Sequence, residues 1–403
     1  MSAETALPVI RLKTRKALPF FCQHPWVYES AIMHVSRSPS VGDEVVVQAA
    51  DGQFIARGLF NPNSKIRVRL YDWQEQGQLD PETWQKRIRA AISLRKKLFS
   101  GSPAWKACRL VFSESDRLSG LTVDRVDDWL IVQWTSAALV RFQDEILQIL
   151  VEELSPRGIW LRTEKGIREL EGLQLEDGLV WGEAPPRPLF IAENGLQFGV
   201  DLVEGQKTGF YFDQRENRAV IKSLARGARV LDVCTYSGGF ALNAASQETC
   251  RHVTAIDSSE PALEMARLNA ELNGLSSKLT FKKADAFDSL QELLSQGEKY
   301  DLIVLDPPKL ARTRGGLNRA MKAYVRLNSL AIELLAQNGC LLTCSCSGLV
   351  ERSEFERVIA QASLDVGRPL QILEQRGQSC DHPILTSCPE TSYLKAFLCR
   401  VVD

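Results

Sequence analysis

A chain of 403 residues is longer than one hydrophobic core can organise, so two or three domains are expected. With 44% apolar and 25% charged residues it has the composition of a folded globular protein, which excludes a disordered chain. A formal net charge of −1 excludes a globally basic field, so any contact with nucleic acid must be local.

The first residues, Met1 to Lys16, lack the apolar core and cleavage site of a secretion signal, and no apolar run is long enough to span a bilayer. The sequence therefore reads as a cytoplasmic protein with no membrane partner. Short strands and turns follow: Val41 to Val47, a tight hairpin at Asp51-Gly52, Phe54 to Gly58, and Ile66 to Leu70 with period-two alternation. Together they predict a small β barrel over residues 1–75. The polar stretch from Asp72 to Pro81 is a linker, and Pro81 opens a helix running to about Leu98. That helix carries Lys86, Arg87, Arg89, Arg95, Lys96 and Lys97 with no acid between them, either a solvated face or one that meets phosphates.

Strands at Leu121 to Asp124 and Trp129 to Trp134, a helix near Phe142 to Leu154 and a strand from Gly158 to Arg162 predict a small α+β middle domain over residues 76–188. Pro185, Pro186 and Pro188 break the chain just before Leu189, which suits a domain boundary. Over residues 189–403 the pattern becomes strand, helix, strand, helix. Arg229 to Val233, His252 to Asp257, Asp301 to Asp306 and Gly339 to Cys344 are almost wholly apolar. Such strands alternating with amphipathic helices predict a parallel sheet covered on both faces, a doubly wound, Rossmann-like α/β domain.

In such a sheet a ligand binds at the carboxyl ends of the strands, where a loop turns into a helix. The loop Asp232-Val-Cys-Thr235-Tyr236-Ser237-Gly238-Gly239 stands at such an end, and its glycines permit close backbone approach. Asp232 can accept from a cationic amine. Asp257, 25 residues on and followed by Ser258, can hold two ribose hydroxyls. Asp285, followed by Ala286, ends the third strand near where an adenine amino group would lie. The glycines do not follow GxGxxG, so a dinucleotide pyrophosphate is a poor match. S-adenosylmethionine, with a ribose, an adenine and a charged amino-acid tail, meets these demands. The competing reading is that the three acids only cap helices.

These residues resemble the class I S-adenosylmethionine-dependent methyltransferases over most of the last 210 residues. A narrower signature precedes the first of the four strands: Gly205-Gln-Lys-Thr-Gly-Phe210-Tyr211-Phe-Asp213-Gln-Arg215-Glu-Asn-Arg. It is similar to the ribosomal large-subunit RNA methyltransferases of the RlmI type, which act on carbon 5 of a cytosine. The resemblance implies that this stretch folds over the cofactor through Phe210, Tyr211, Asp213 and Arg215. The N-terminal barrel, with His24-Pro-Trp-Val-Tyr and Gly58-Leu-Phe-Asn-Pro, resembles a PUA domain, a small RNA-binding barrel. Arg11, Lys13, Arg15, Lys16, Lys65, Arg67 and Arg69 would then meet phosphates, while Trp26 and Tyr28 are expected as core fillers.

The fourth of those strands ends in Asp306-Pro307-Pro308-Lys309. Enzymes that methylate an exocyclic nitrogen show a similar motif with Tyr or Phe last, where the ring stacks on a flipped base; Lys309 takes that place here, with Pro307 and Pro308 as further base contacts. Asp306 is expected at both cofactor and base, orienting the base edge near N3 and the exocyclic amine. The next strand ends in Thr343-Cys344-Ser345-Cys346-Ser347. Carbon 5 of a pyrimidine is a weak nucleophile, so its methylation needs a thiolate to add at carbon 6. The ten cysteines of a cytoplasmic protein read as reduced thiols, and no His/Cys group has zinc spacing, so the special cysteine should be catalytic and no metal is expected. Ser345-Cys346 aligns with the Ser-Cys-Asn-Pro of uracil carbon-5 enzymes, and Thr343-Cys344-Ser345 with another cytosine branch; Cys346 is preferred and Cys344 stays open. Glu390, in a tail loosely similar to the closing motif of the uracil enzymes, is the candidate base for the carbon-5 proton.

The expected partner is RNA, from the large ribosomal subunit, offering a single-stranded or flipped base; the sequence leaves room for a homodimer. Two other readings stand beside this one: uracil carbon-5 or guanine nitrogen methylation on the same scaffold, and a non-catalytic RNA-binding or assembly factor with a degenerate fold.

Overall fold

A computed structural model describes residues 7–203, 209–311 and 313–402, and its chain divides into two compact units. The first holds Met1–Leu189 together with Asp201–Gly209 and Cys380–Thr391. The second holds Phe190–Val200, Phe210–Ser379 and Ser392–Asp403.

The first unit opens with β1 (Val9–Leu12), α1 (Leu18–Phe21), β2 (Trp26–Tyr28), β3 (Ile32–Val35), β4 (Glu44–Gln48), β5 (Phe54–Phe60) and β6 (Ile66–Asp72). These strands form one sheet in the order β2-β6-β5-β4-β1-β3, antiparallel except where β1 runs beside β4. Alternating residues, among them Ile10, Leu12, Val45, Val47, Val68 and Leu70, bury its core. α2 (Pro81–Leu98) begins where Asp80 accepts the Thr83 amide at 2.8 Å with proline at the first helical position, so the predicted start holds for a stated reason.

A second sheet follows: β7 (Ala107–Phe112), β8 (Leu121–Val126), β9 (Trp129–Trp134), then α3 (Gln143–Leu154), β10 (Gly158–Arg162), α4 (Lys165–Glu171) and β11 (Gly178–Gly182), in the order β11-β10-β9-β8-β7. Trp84 and Ile88 of α2, Ile146 and Leu150 of α3, and Leu130 and Val132 of β9 close its core, which Leu59 and Tyr71 of the first sheet also enter. The tail segment of this unit is tied in by Arg95, whose guanidinium donates to the Asp381 carbonyl at 2.8 Å.

The second unit starts with the hairpin β12 (Leu189–Glu193) and β13 (Leu196–Val200), followed by α5 (Arg215–Leu224). β14 (Arg229–Val233), α6 (Gly239–Ala245), β15 (His252–Asp257), α7 (Glu260–Leu272), β16 (Leu279–Lys283), α8 (Ala286–Ser295), β17 (Tyr300–Leu305), α9 (Leu317–Leu334), β18 (Leu335–Ser345), α10 (Arg352–Val366), β19 (Leu370–Arg376) and β20 (Lys395–Val401) complete it. The seven strands run β16-β15-β14-β17-β18-β20-β19, the first five parallel and β20 antiparallel to both neighbours. α8, α9 and α10 pack one face through Leu290, Tyr324 and Phe355; α5, α6 and α7 pack the other through Ile221, Phe240 and Ala270. Strands covered on both faces can be apolar throughout, which is the pattern read in the sequence.

Candidate active site

β14 lies third in the seven-stranded sheet with β15 on one side and β17 on the other, so the crevice at the carboxyl ends of β14 and β17 is its switch point. Asp232 stands there, fully buried. Its Oδ2 accepts the Thr235 hydroxyl at 2.5 Å and the Ala241 amide at 2.9 Å, while Oδ1 has no partner among the described residues. Burial pushes this carboxyl up to about 7 against the pull of those two donors. An unmatched buried carboxylate oxygen is costly, and a cationic amine is the group that relieves it.

The loop after β14 is strained: Cys234 and Tyr236 adopt φ of 64° and 52° without being glycine. Gly238 has φ of 83°, and a Cβ there would lie 2.5 Å from Leu242 Cδ1, so the first of the two glycines is required by both backbone and packing. This shape aims the Tyr236 amide at Asp257, whose Oδ2 accepts it at 2.8 Å while Oδ1 accepts the Ser259 amide at 2.9 Å. Asp257 is half-buried and Ser258 beside it is exposed; Ser237 is buried, its carbonyl accepting from Asn269 at 3.1 Å. Asp285 is exposed and caps α8, accepting the Phe287 amide at 2.8 Å, and Ala286 is the first residue of that helix. Of the three acids, then, Asp285 is the one that acts as a helix cap.

In the signature segment, Gly205 to Thr208 lie outside the described residues. Beyond them Phe210 packs against Phe198 and Phe212 at 5.1 and 5.6 Å between ring centroids, and Tyr211 meets Tyr236 edge-on at 5.3 Å. Asp213 accepts the Tyr393 hydroxyl. Arg215 and Arg218 both pair with the buried Glu193 of β12, at 3.3 Å and at 2.6 Å. The sequence reading missed Glu193, Gln214, Arg218 and Tyr393. Gln214 and Arg218 stood inside the quoted motif, but Glu193 and Tyr393 are 20 or more residues away from Asp213 in the chain and carried no local signal.

At the chemical end, the Asp306 amide donates to the Val233 carbonyl at 3.3 Å, which sets its carboxyl beside the first strand. Gln214 Nε2 donates to Asp306 Oδ2 at 3.0 Å. Burial and the charge of Asp213 push Asp306 up to about 7. Pro307 is buried, whereas Pro308 and Lys309 are exposed. The two cysteines of β18 and its end differ in kind. Cys344 is fully buried opposite Ala396, and burial and the nearby Asp306 raise its thiol well above the ordinary range, the condition of an inert thiol. Cys346 is half-buried with Sγ 4.0 Å from the Pro307 carbonyl oxygen, next to the Asp306 motif.

Glu390 falls in the first unit, where His24 Nε2 lies 3.2 Å and Cys388 Sγ 3.5 Å from Oε2. These three ligand-type atoms lie within 4.8 Å of one another, a grouping that spacing along the chain could not reveal. His24 Nδ1 accepts the Trp26 amide at 3.2 Å, which leaves the proton of the neutral ring on Nε2, so this ring donates to Glu390 rather than offering a lone pair to a metal. The basic residues read as phosphate contacts also divide. Arg69 is buried between Glu114 and Glu171, each at 3.2 Å, and Arg95 is fully buried on Asp116 at 2.6 Å, so neither is surface charge. Arg87 turns inward to the carbonyls of Tyr71 and Arg117. Lys13, Arg15, Lys16, Lys65, Lys86, Lys96 and Lys97 are exposed. Trp26 is half-buried with its indole on Glu114 at 2.9 Å, but Tyr28 is 41% exposed and does not fill the core as expected, because β2 is an edge strand of the sheet.

The model of S-adenosylmethionine-dependent methyltransferases matches residues 177–360, and that of PUA-like domains matches residues 10–73. The chain is 41% identical over 382 residues to ribosomal RNA large subunit methyltransferase I of Tolumonas auensis, covering 94% of this chain and 96% of that one. Identity to the protein of the same name from Pseudoalteromonas translucida is 38% over 380 residues, again covering 94% and 96%. Among solved structures, a candidate SAM-dependent methyltransferase from Streptococcus mutans superposes with a TM-score of 0.84 at 19% identity, covering 98% of this chain and 100% of that chain, a likeness of fold.

Proposed function

Because the chain belongs to the ribosomal RNA large subunit methyltransferase I family, we propose that it methylates carbon 5 of a cytosine in large-subunit ribosomal RNA, with Cys346 as the nucleophile. S-adenosylmethionine is its cofactor. The observation that carries the chemistry is the half-buried thiol of Cys346 beside the Pro307 carbonyl, with Asp306 next in the chain and Lys309 where an amino-methylating enzyme has its aromatic ring.

The open Oδ1 of Asp232 fits the cationic amine of the cofactor, and Asp257 fits its ribose hydroxyls. Thr235, Tyr236, Ser237 and Gly238 shape the loop between them, Ser258, Asp285 and Ala286 border the adenine end, and Phe210, Tyr211, Asp213 and Arg215 belong to the segment that covers the site. When bound, S-adenosylmethionine would supply an electrophilic methyl group, its sulfonium S–C bond breaking to leave neutral S-adenosylhomocysteine. The thiolate of Cys346 adds to carbon 6 of the cytosine, forming an S–C bond and pushing the electron pair of the double bond to carbon 5, which takes the methyl group. Asp306, partly protonated near neutral pH, donates to N3 and so draws electrons from carbon 6, while Pro307, Pro308 and Lys309 border the base. A base then removes the carbon-5 proton, the double bond re-forms and the thiolate leaves.

Docking of the RNA falls to the PUA-like sheet through Lys13, Arg15, Lys16 and Lys65. The test of substrate and reaction is nucleoside analysis by mass spectrometry of large-subunit RNA from cells with and without the gene. Loss of one 5-methylcytidine is expected, and loss of a methyluridine or methylguanosine instead would overturn the reading.

A further inference from the structure

Lys395, the first residue of β20, pairs with Ser345 across the antiparallel ladder and is only 3% exposed. Its ammonium donates to the Ser347 carbonyl at 2.6 Å and to the Tyr393 carbonyl at 2.8 Å. Its backbone therefore borders Cys346 on the Ser345 side, and its ammonium holds the chain on the Ser347 side. Among the described residues no carboxylate lies within ion-pair distance of it and no third acceptor takes its remaining proton. A cation this deeply buried without a counter-ion is costly, and a protein retains one where an anion forms beside it.

We infer that Lys395 is the positioning residue of the nucleophile: its ammonium fixes the turn that presents Cys346 and is the positive charge that favours the Cys346 thiolate. The inference rests on the reading of Cys346 as nucleophile. Burial pushes Lys395 down to about 8, and the nearby sulfur of Cys346 is the largest influence holding it up, so the two groups act on each other's protons. The other charges that face Lys395 act in both directions: Arg352 and Lys309 oppose its charge, and Glu354 favours it. From α9, the Tyr324 hydroxyl sits 3.0 Å from the hydroxyls of both Ser345 and Ser347, giving the turn a second, uncharged anchor. Lys309 is exposed and set on the loop after β17, so it is free to serve RNA, whereas Lys395 is committed to the turn.

The test uses the full-length protein without RNA or cofactor, so that it reads the thiol and not the overall reaction. The rate at which iodoacetamide labels the Cys346 peptide is followed by mass spectrometry against pH, with the exposed Cys22 in the same sample as reference. In the wild type Cys346 should reach half its limiting rate at lower pH than Cys22. In Lys395→Met that midpoint should rise and the rate at pH 7 should fall about tenfold, with Lys395→Arg recovering part of it. A Cys346 midpoint at or above that of Cys22 in the wild type overturns the inference without any variant, as does an unchanged profile in a folded Lys395→Met protein. Retention of methyl transfer by Cys346→Ala would instead remove the nucleophile reading beneath it, and that result is read separately from the labelling profile.

Discussion

Gln214 donates its side-chain amide to Asp306 at 3.0 Å and accepts from Asn217 at 2.6 Å, so the segment at the start of α5 holds the carboxyl that follows β17. A hydrogen bond to the charged form lowers a carboxyl's pKa, and here it opposes burial and the charge of Asp213. Replacing Gln214 by Ala should therefore raise the titration midpoint of Asp306 from about 7, by about one unit. Carbon-13 NMR of labelled aspartate carboxyls against pH measures it; a midpoint that stays or falls would show that Gln214 does not hold the acid.

Cofactor affinity should depend on pH through Asp232. Its carboxyl in the empty protein is raised to about 7, so below that pH it carries a proton that a cationic amine must displace. Binding should be flat above pH 8 and weaken below 7 by up to about tenfold per pH unit. Asp232→Asn should lose roughly 10- to 100-fold in affinity at pH 8 and lose the slope with it. Titration calorimetry with S-adenosylhomocysteine from pH 5.5 to 8.5 follows both; a wild-type profile with no slope would detach Asp232 from the amine.

Glu193 carries two buried guanidiniums, Arg215 at 3.3 Å and Arg218 at 2.6 Å. Its replacement by Gln leaves both cations short of a counter-charge in a buried setting, which costs about 3–5 kcal/mol. Thermal denaturation should show the loss, and cofactor binding should weaken because Arg218 also donates to the Tyr211 carbonyl at 2.9 Å. An unchanged melting temperature would mean that solvent reaches the cluster.

Much of the second unit was legible because a strand buried on both faces must be apolar. β14, β15 and β17 announce themselves in this way, and the acids at or just after their ends mark the site. The helix start at Pro81 was equally plain from the proline, and the structure adds the Asp80 cap. What stayed hidden depends on contacts distant in sequence. Nothing local marks Glu193 as the holder of Arg218, Lys395 as the neighbour of Cys346, or Arg69 as a buried ion-pair centre rather than a phosphate contact. The edge-strand hairpin β12–β13 and strand β11 are short, and their mixed composition gave no periodic signal.

The choice between the two cysteines has its own outcome. Cys344→Ala should keep methyl transfer and lose about 1–2 kcal/mol of stability from a small cavity, because that thiol is fully buried in the core. Cys346→Ala should lower transfer by at least about a thousandfold while melting as the wild type does. The reverse pattern would move the nucleophile to Cys344.

The most direct test of the account is adduct mapping. RNA whose cytidines carry fluorine at carbon 5 can accept the methyl group but has no proton there to lose, so the thiol cannot leave. Digestion and mass spectrometry should place a methylated fluorocytidine nucleotide on the peptide containing Cys346, only when S-adenosylmethionine is present. Methylated RNA recovered free of the protein, with no nucleotide on any cysteine, would contradict the covalent carbon-5 mechanism.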